Sequence, residues 1–224
     1  MIKLSVMGDQ IELDEYTDDV TIDDLAKAVD SFRLHHLQSQ GLKTRNCCGC
    51  GICCHDLIPV LGMDLAAFGY QPGRGDEPLR NQLVLPRHPD IRQRSKDIRE
   101  TMAQFGISEP EATFLYDVNQ AEPLALPRRD DGGCRYLQGN LCGIYEKRPF
   151  NCRFYLCNMG TRLAAIQETL VSQGTWHAYA MLGWIPAKAL RYNPFMRTQD
   201  YSAISLADLE FNLDKNVEKM FFYF

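Results

Sequence analysis

The cysteines are the residues of this chain whose type and spacing first suggest chemistry. There are nine among 224 residues, gathered into two blocks. The first block reads Cys47-Cys48-Gly49-Cys50-Gly51-Ile52-Cys53-Cys54. Cys47, Cys50 and Cys53 recur at every third position, the rhythm of loops that present successive thiolates to one inorganic core. Gly49 and Gly51 suit such a loop, because glycine lets backbone approach closely and accepts positive φ. Cys54 follows Cys53 directly, so its side chain is expected to leave that rhythm for a second metal position or a distant partner. Cys48 lies outside the rhythm and is read as a bystander.

The second block holds Cys134, Cys142, Cys152 and Cys157. Cys134 and Cys142 flank a turn at Gln138-Gly139-Asn140. Cys152 and Cys157 follow Arg148-Pro149, where proline disfavours a helix interior and favours a fixed turn. Four cysteines from each block give eight thiolates, enough for two four-ligand sites or for one site with cysteines to spare. Zinc accepts four thiolates in a tetrahedron, usually two from each of two knuckles. Three cysteines at successive three-residue steps suit a cubane cluster better, so a 4Fe-4S iron–sulfur cluster is the favoured cofactor and zinc the alternative. Disulfides or free thiols remain a third possibility.

The elements that must position these thiols can be read from periodicity. Ile2–Glu15 alternates around Gly8-Asp9 as a β-hairpin. Thr21 with Asp24 forms a capping-box-like helix start, and Leu25, Val29, Phe32 and His36 follow at helical spacing towards Gly41. Residues 63–89, rich in Gly and Pro, read as a crossing loop. A second amphipathic helix is expected over Ile91–Phe105, a short strand at Leu124–Leu126, and a hairpin about Gly139. A third helix is marked by Leu163, Ile166 and Leu170, and a fourth starts at Ser205 with Asp208. The aromatic end Phe221-Phe222-Tyr223-Phe224 is expected to tuck into the core. The fold class expected is α+β: a small irregular cysteine-rich core with short hairpins, surrounded by amphipathic helices. Residues 1–40 would form an N-terminal hairpin and helix, 41–160 the cysteine domain, and 161–224 a helical extension packed on it.

Composition limits the role of the chain. A hydrophobic fraction of 45% with 24% charged residues is that of a globular protein. The net charge of −5 argues against nucleic acid as a main partner, because phosphate binding needs a basic surface. No apolar run approaches a membrane span and the start lacks a signal-peptide layout, so a cytoplasmic location is expected. In a reducing compartment clustered thiols bind metal or do redox work more often than they form stable disulfides.

The run C-x2-C-x2-C-C, followed by Cys134 and by Cys142-Gly143-Ile144-Tyr145-Glu146-Lys147-Arg148-Pro149-Phe150-Asn151-Cys152-Arg153, resembles the CxxCxxCC family of zinc- or iron-chelating domains, which also occurs in flagellin lysine N-methylases. The resemblance implies that Cys47, Cys50, Cys53, Cys54, Cys134, Cys142, Cys152 and Cys157 are the chelating set. Cys48 departs from the family's pattern.

Near these cysteines, Arg148 and Arg153 are placed to donate hydrogen bonds to a negatively charged cluster and to raise its potential, or else to form ordinary ion pairs. Tyr145 reads as a packing residue. His55 is a possible replacement ligand, more simply an exposed neighbour. His36 reads as a core histidine and His177 as a weak candidate for a pocket lining. Gly69, Gly73 and Gly75 read as turns rather than a nucleotide loop. The expected role is electron transfer or support of a partner enzyme, with a protein or redox partner. The rival readings are a structural zinc module and a cluster-dependent methyltransferase-like enzyme. No S-adenosylmethionine fingerprint supports the last.

Overall fold

In a computed structural model, residues 1–8, 10–39, 52–86, 122–139, 141–155, 159–184, 187, 193–198 and 200–209 are described. The expected helix over Ile91–Phe105, the aromatic end, and Cys47, Cys48, Cys50 and Cys157 lie outside them. Of Cys53 the backbone alone is described, and the side chain of His36 lies outside as well.

The alternating N-terminal stretch forms β1 (Ile2–Met7) and β2 (Gln10–Tyr16), paired antiparallel with a register irregularity after Lys3. Gly8 sits at the tip with φ of +67°, a conformation open to glycine at no steric cost. Helix α1 spans Ile22–Ser39. Its start is the reciprocal cap that the sequence suggests. The Thr21 amide donates to Asp24 Oδ2 at 3.1 Å, and the Asp24 amide donates to Thr21 Oγ1 at 3.2 Å.

Three further elements are only two residues long. β3 (Pro59–Val60) pairs antiparallel with β4 (Leu124–Ala125), while β5 (Leu137–Gln138) pairs with β6 (Leu141–Cys142). The stretch expected as a loop begins instead with a 3-10 turn, Gly62–Phe68, because Leu65 and Phe68 can be buried on one side of it. Helix α2 (Phe150–Phe154) is one turn long, and helix α3 (Thr161–Met181) is the longest element. Residues 206–209 begin the helix expected after Ser205. The result is an α+β fold.

Two hydrophobic cores form. The first joins the hairpin, α1, α2 and the N-terminal half of α3 through Leu25, Val29, Phe150, Phe154, Leu163 and Ile166. The second joins β3, β4, the 3-10 turn and the C-terminal half of α3, and it contains Cys54 and Cys134. Helix α3 serves both, with Leu163, Ile166 and Leu170 in the first and Trp176, Ala178 and Tyr179 in the second. Strand alternation divides Val60 from Leu61 in the same way: Val60 enters the second core and Leu61 the first.

Leu61 meets α3 at Gly174, where an added Cβ would lie 2.9 Å from both Leu61 Cβ and Leu61 Cδ2. Glycine to alanine in an open helix interior stabilises by roughly 1 kcal/mol. Here crowding reverses the sign, since overpacking a core costs about 1–3 kcal/mol. Gly174→Ala should therefore lower stability in urea unfolding. A gain would show that α3 and Leu61 are not in close contact.

Candidate metal centre

The described cysteines are brought together by backbone hydrogen bonds between segments far apart in sequence. Cys54 ends the sequence run of the first block and lies in a short 3-10 turn, Ile52–His55. Its carbonyl accepts from the Cys134 amide at 2.6 Å. Nearby, the Leu126 amide donates to the Ile58 carbonyl at 3.1 Å, and the Arg128 guanidinium donates to the His55 carbonyl. The segment carrying Cys134 thus runs against the end of the first block. Both sulfur-bearing residues are buried, Cys54 at 9% and Cys134 at 6% exposure.

Cys134 is held by a tight turn. The Arg129 amide donates to the Gly133 carbonyl at 2.8 Å, and Asp131 Oδ1 accepts from the Gly133 amide at 2.9 Å. That hydrogen bond, with the Arg129 guanidinium, holds the Asp131 carboxyl below its ordinary range. Cys142 closes β6 opposite Leu137 and is half-buried, the Gly143 amide donating to the Tyr136 carbonyl at 2.8 Å.

Cys152 lies in α2 rather than in a simple fixed turn. Pro149, with φ of −55°, stands just before the helix, where a missing N–H costs nothing. Residues 150 and 154 share a helix face, whereas 152 falls on the opposite side. Phe150 and Phe154 accordingly fill the first core, and Cys152 packs against the second core with Cys54 and Cys134. One turn of helix splits the two environments.

A ladder of three contacts holds α2 to the stretch that follows the first block. The Tyr155 hydroxyl donates to Asp56 Oδ2 at 2.6 Å, Asn151 Nδ2 donates to the Pro59 carbonyl at 3.1 Å, and the Phe150 amide donates to Asp64 Oδ1 at 3.0 Å. Asp64 Oδ2 also accepts from the Leu61 amide at 3.0 Å. Burial pushes the Asp64 carboxyl up to about 6, against the lowering effect of these two amides and of Arg153. The Tyr201 hydroxyl, buried beside the Asp64 charge, is raised well above its ordinary value.

The two arginines beside Cys152 reach towards α1. Arg148 pairs with Asp30 at 2.7 Å and lies over the Tyr145 ring at 3.9 Å from its centroid. Arg153 pairs with Asp23 at 3.1 Å. Burial works to raise the Asp23 carboxyl, but Lys27 and Arg153 together hold it below its ordinary range. His55 is exposed. His177 is buried at 2% exposure, stacked near Phe195, with Nδ1 2.5 Å from where a Cβ on Gly62 would stand. Burial lowers it to about 4, so it is a neutral packing residue.

Among the described residues, no three His, Cys, Asp or Glu side chains converge to hold a metal ion. Four of the eight candidate ligands have described side chains: Cys54, Cys134, Cys142 and Cys152. No disulfide joins them to one another. Thiols gathered at the edge of an apolar core suit a thiolate-preferring metal, which zinc and iron–sulfur clusters both are. Asp56, Asp64 and Asn151 escape a reading based on cysteine spacing. The visible signal for Asp64 was a carboxylate beside the apolar run Leu65-Ala66-Ala67-Phe68.

The raised pKa of Asp64 makes its contribution depend on pH. The folded protein binds the proton more readily than the unfolded chain, so this site adds stability as pH falls from about 6 towards 3.8 and loses it as pH rises. Asp64→Asn removes that dependence and leaves one amide without its acceptor, at a cost of about 1–3 kcal/mol. The stability gap between wild type and variant, from urea unfolding, should widen on acidification through this window. A gap independent of pH would contradict the assignment.

No helix among the described residues is long and apolar enough to cross a membrane. No curated protein and no solved structure shows significant similarity to the chain. A family model does match it over residues 46–172, from the first cysteine block into the first half of α3. By that match, which takes in more than half of the sequence, the chain belongs to the CxxCxxCC family, described as "Putative zinc- or iron-chelating domain".

Proposed function

We propose that the chain holds one or two cysteine-ligated iron–sulfur clusters, 4Fe-4S in type, and uses them to carry electrons or to support the chemistry of a partner protein. The observation behind this reading is the hydrogen bond from the Cys134 amide to the Cys54 carbonyl, which joins the end of the three-residue cysteine rhythm to the second block. Cys47, Cys50 and Cys53 would supply thiolates in sequence, Cys54 and Cys134 thiolates from the apolar side, and Cys142, Cys152 and Cys157 the remainder. A bound cluster supplies one-electron chemistry whose potential depends on burial and on hydrogen bonds to its sulfurs. The chain's own part is to bury Cys54 and Cys134, which limits water at the thiolates, and to hold Cys152 by the ladder from Asp56 to Asp64.

The same donor set serves zinc, in which case the site is structural and the protein acts through its surface. Protein purified without oxygen should be brown, contain iron and acid-labile sulfide, and bleach on reduction. Colourless protein with stoichiometric zinc and no sulfide would replace the cluster with a structural zinc site. Within either metal, Cys50→Ser and Cys152→Ser should lose most of the metal while Cys48→Ser keeps it. Equal loss in the Cys48 and Cys50 variants would overturn the register assigned to the first block.

A further inference from the structure

Two arginines share one carboxylate between α1 and the second cysteine block. Arg33 Nη2 and Arg148 Nη2 each donate to Asp30, one to Oδ1 and the other to Oδ2. The arginine side chains are 9% and 7% exposed. Guanidinium groups stay charged in proteins, so this cluster carries one more buried positive charge than negative. The Arg33 Nε–H, also buried, has no hydrogen-bond acceptor. An uncompensated buried charge is costly, and an orphaned donor adds to that cost. The arrangement calls for an anion.

The neighbouring sequence narrows what that anion can be. Residues 40–55, which continue α1 into the first block, contain no Asp or Glu, while Lys43 and Arg45 add positive charge. Residues 139–155, which carry Cys142 and Cys152 on either side of Arg148, contain Glu146 alone, and it is exposed. Thiolates are the remaining anions that both segments can bring. A metal centre held by four thiolates is itself anionic, whether it is zinc or a cubane cluster.

We infer that Asp30, Arg33 and Arg148 form a cationic seat for the anionic thiolate centre to which Cys142 and Cys152 contribute. The inference rests on the metal-centre reading above. Asp30 orients the two guanidinium groups and attenuates their charge, and the surplus is left for the sulfurs. These three are positioning residues rather than ligands.

The sign of the response separates this role from a simple ion pair. In the full-length chain, loaded with metal without oxygen, Arg33→Gln and Arg148→Gln each remove positive charge. Both should release metal to a competing chelator at about tenfold lower concentration, within the range seen when outer partners of metal ligands are lost. Asp30→Asn removes the attenuating negative charge and should hold metal at least as tightly as wild type. Arg148→Lys keeps the charge and should restore most of the loss seen with Arg148→Gln. If the cluster only ties α1 to the second block, Asp30→Asn breaks the same pairs and releases metal as readily as the arginine variants, and that outcome overturns the seat. Should an Arg→Gln variant fail to fold, Asp30→Asn and Arg148→Lys still decide by retention against wild type. Unchanged retention in every variant of a loaded protein also overturns the seat alone. A wild type that takes up neither iron nor zinc overturns the metal-centre reading itself.

Discussion

The carboxylate of Asp64 is fully enclosed, and its two oxygens answer two backbone amides from opposite ends of the cysteine region. Leu61 belongs to the stretch that follows the first block, and Phe150 opens the helix that carries Cys152. Without this acceptor both amides would be buried with no partner, each at a cost of about 1–3 kcal/mol. The charge is costly to bury, as the raised pKa records. Its retention is understandable because no uncharged side chain accepts from two amides at once as readily as a carboxylate. The contacts at Asn151 and Tyr155 extend the same junction, and the placement of Cys152 depends on all three.

From that junction the two cores follow. A one-turn helix with Phe150 and Phe154 on one face and Cys152 on the other can be buried on both sides only if different cores lie there. Helix α3 spans both, and Gly174 is where it passes closest to Leu61. The first core is rich in long elements and large aliphatic and aromatic side chains. The second leans on two-residue strand pairs, which are marginal by themselves.

Much of the first core was legible in sequence because its signals are local. The hairpin about Gly8, the Thr21–Asp24 cap and the spacing of Leu163, Ile166 and Leu170 each reflect neighbours within a turn or two. Cys134 and Cys142 flanking a hairpin turn were legible for the same reason. The 3-10 turn at Gly62–Phe68 was hidden by flanking Gly and Pro, since its order comes from burial of Leu65 and Phe68 against distant elements. Pro149 was read as excluding a helix, yet proline is excluded only from helix interiors, and here it precedes the first turn. The ion pairs Arg148–Asp30 and Arg153–Asp23 link positions more than a hundred residues apart, and nothing in local spacing marks them. The cysteines announced themselves by type, while their supporting residues are ordinary polar groups whose meaning lies in tertiary contact.

The contrast between the two cores bears on why a chelating family should have this shape. A segment with short strands, turns and few long side chains buries little apolar area, so its own packing offsets only part of the entropy of ordering it. Metal ligation adds free energy at that point, and for cysteine sites the free energy of binding is also free energy of folding. The self-sufficient first core supplies a rigid platform through α1, α2 and the first half of α3. The second core is then free to be irregular, which is what thiolates converging from several turns require. Asp64, Arg148 and Arg153 stand on the boundary between the two, so they couple the order of the platform to the geometry of the ligands.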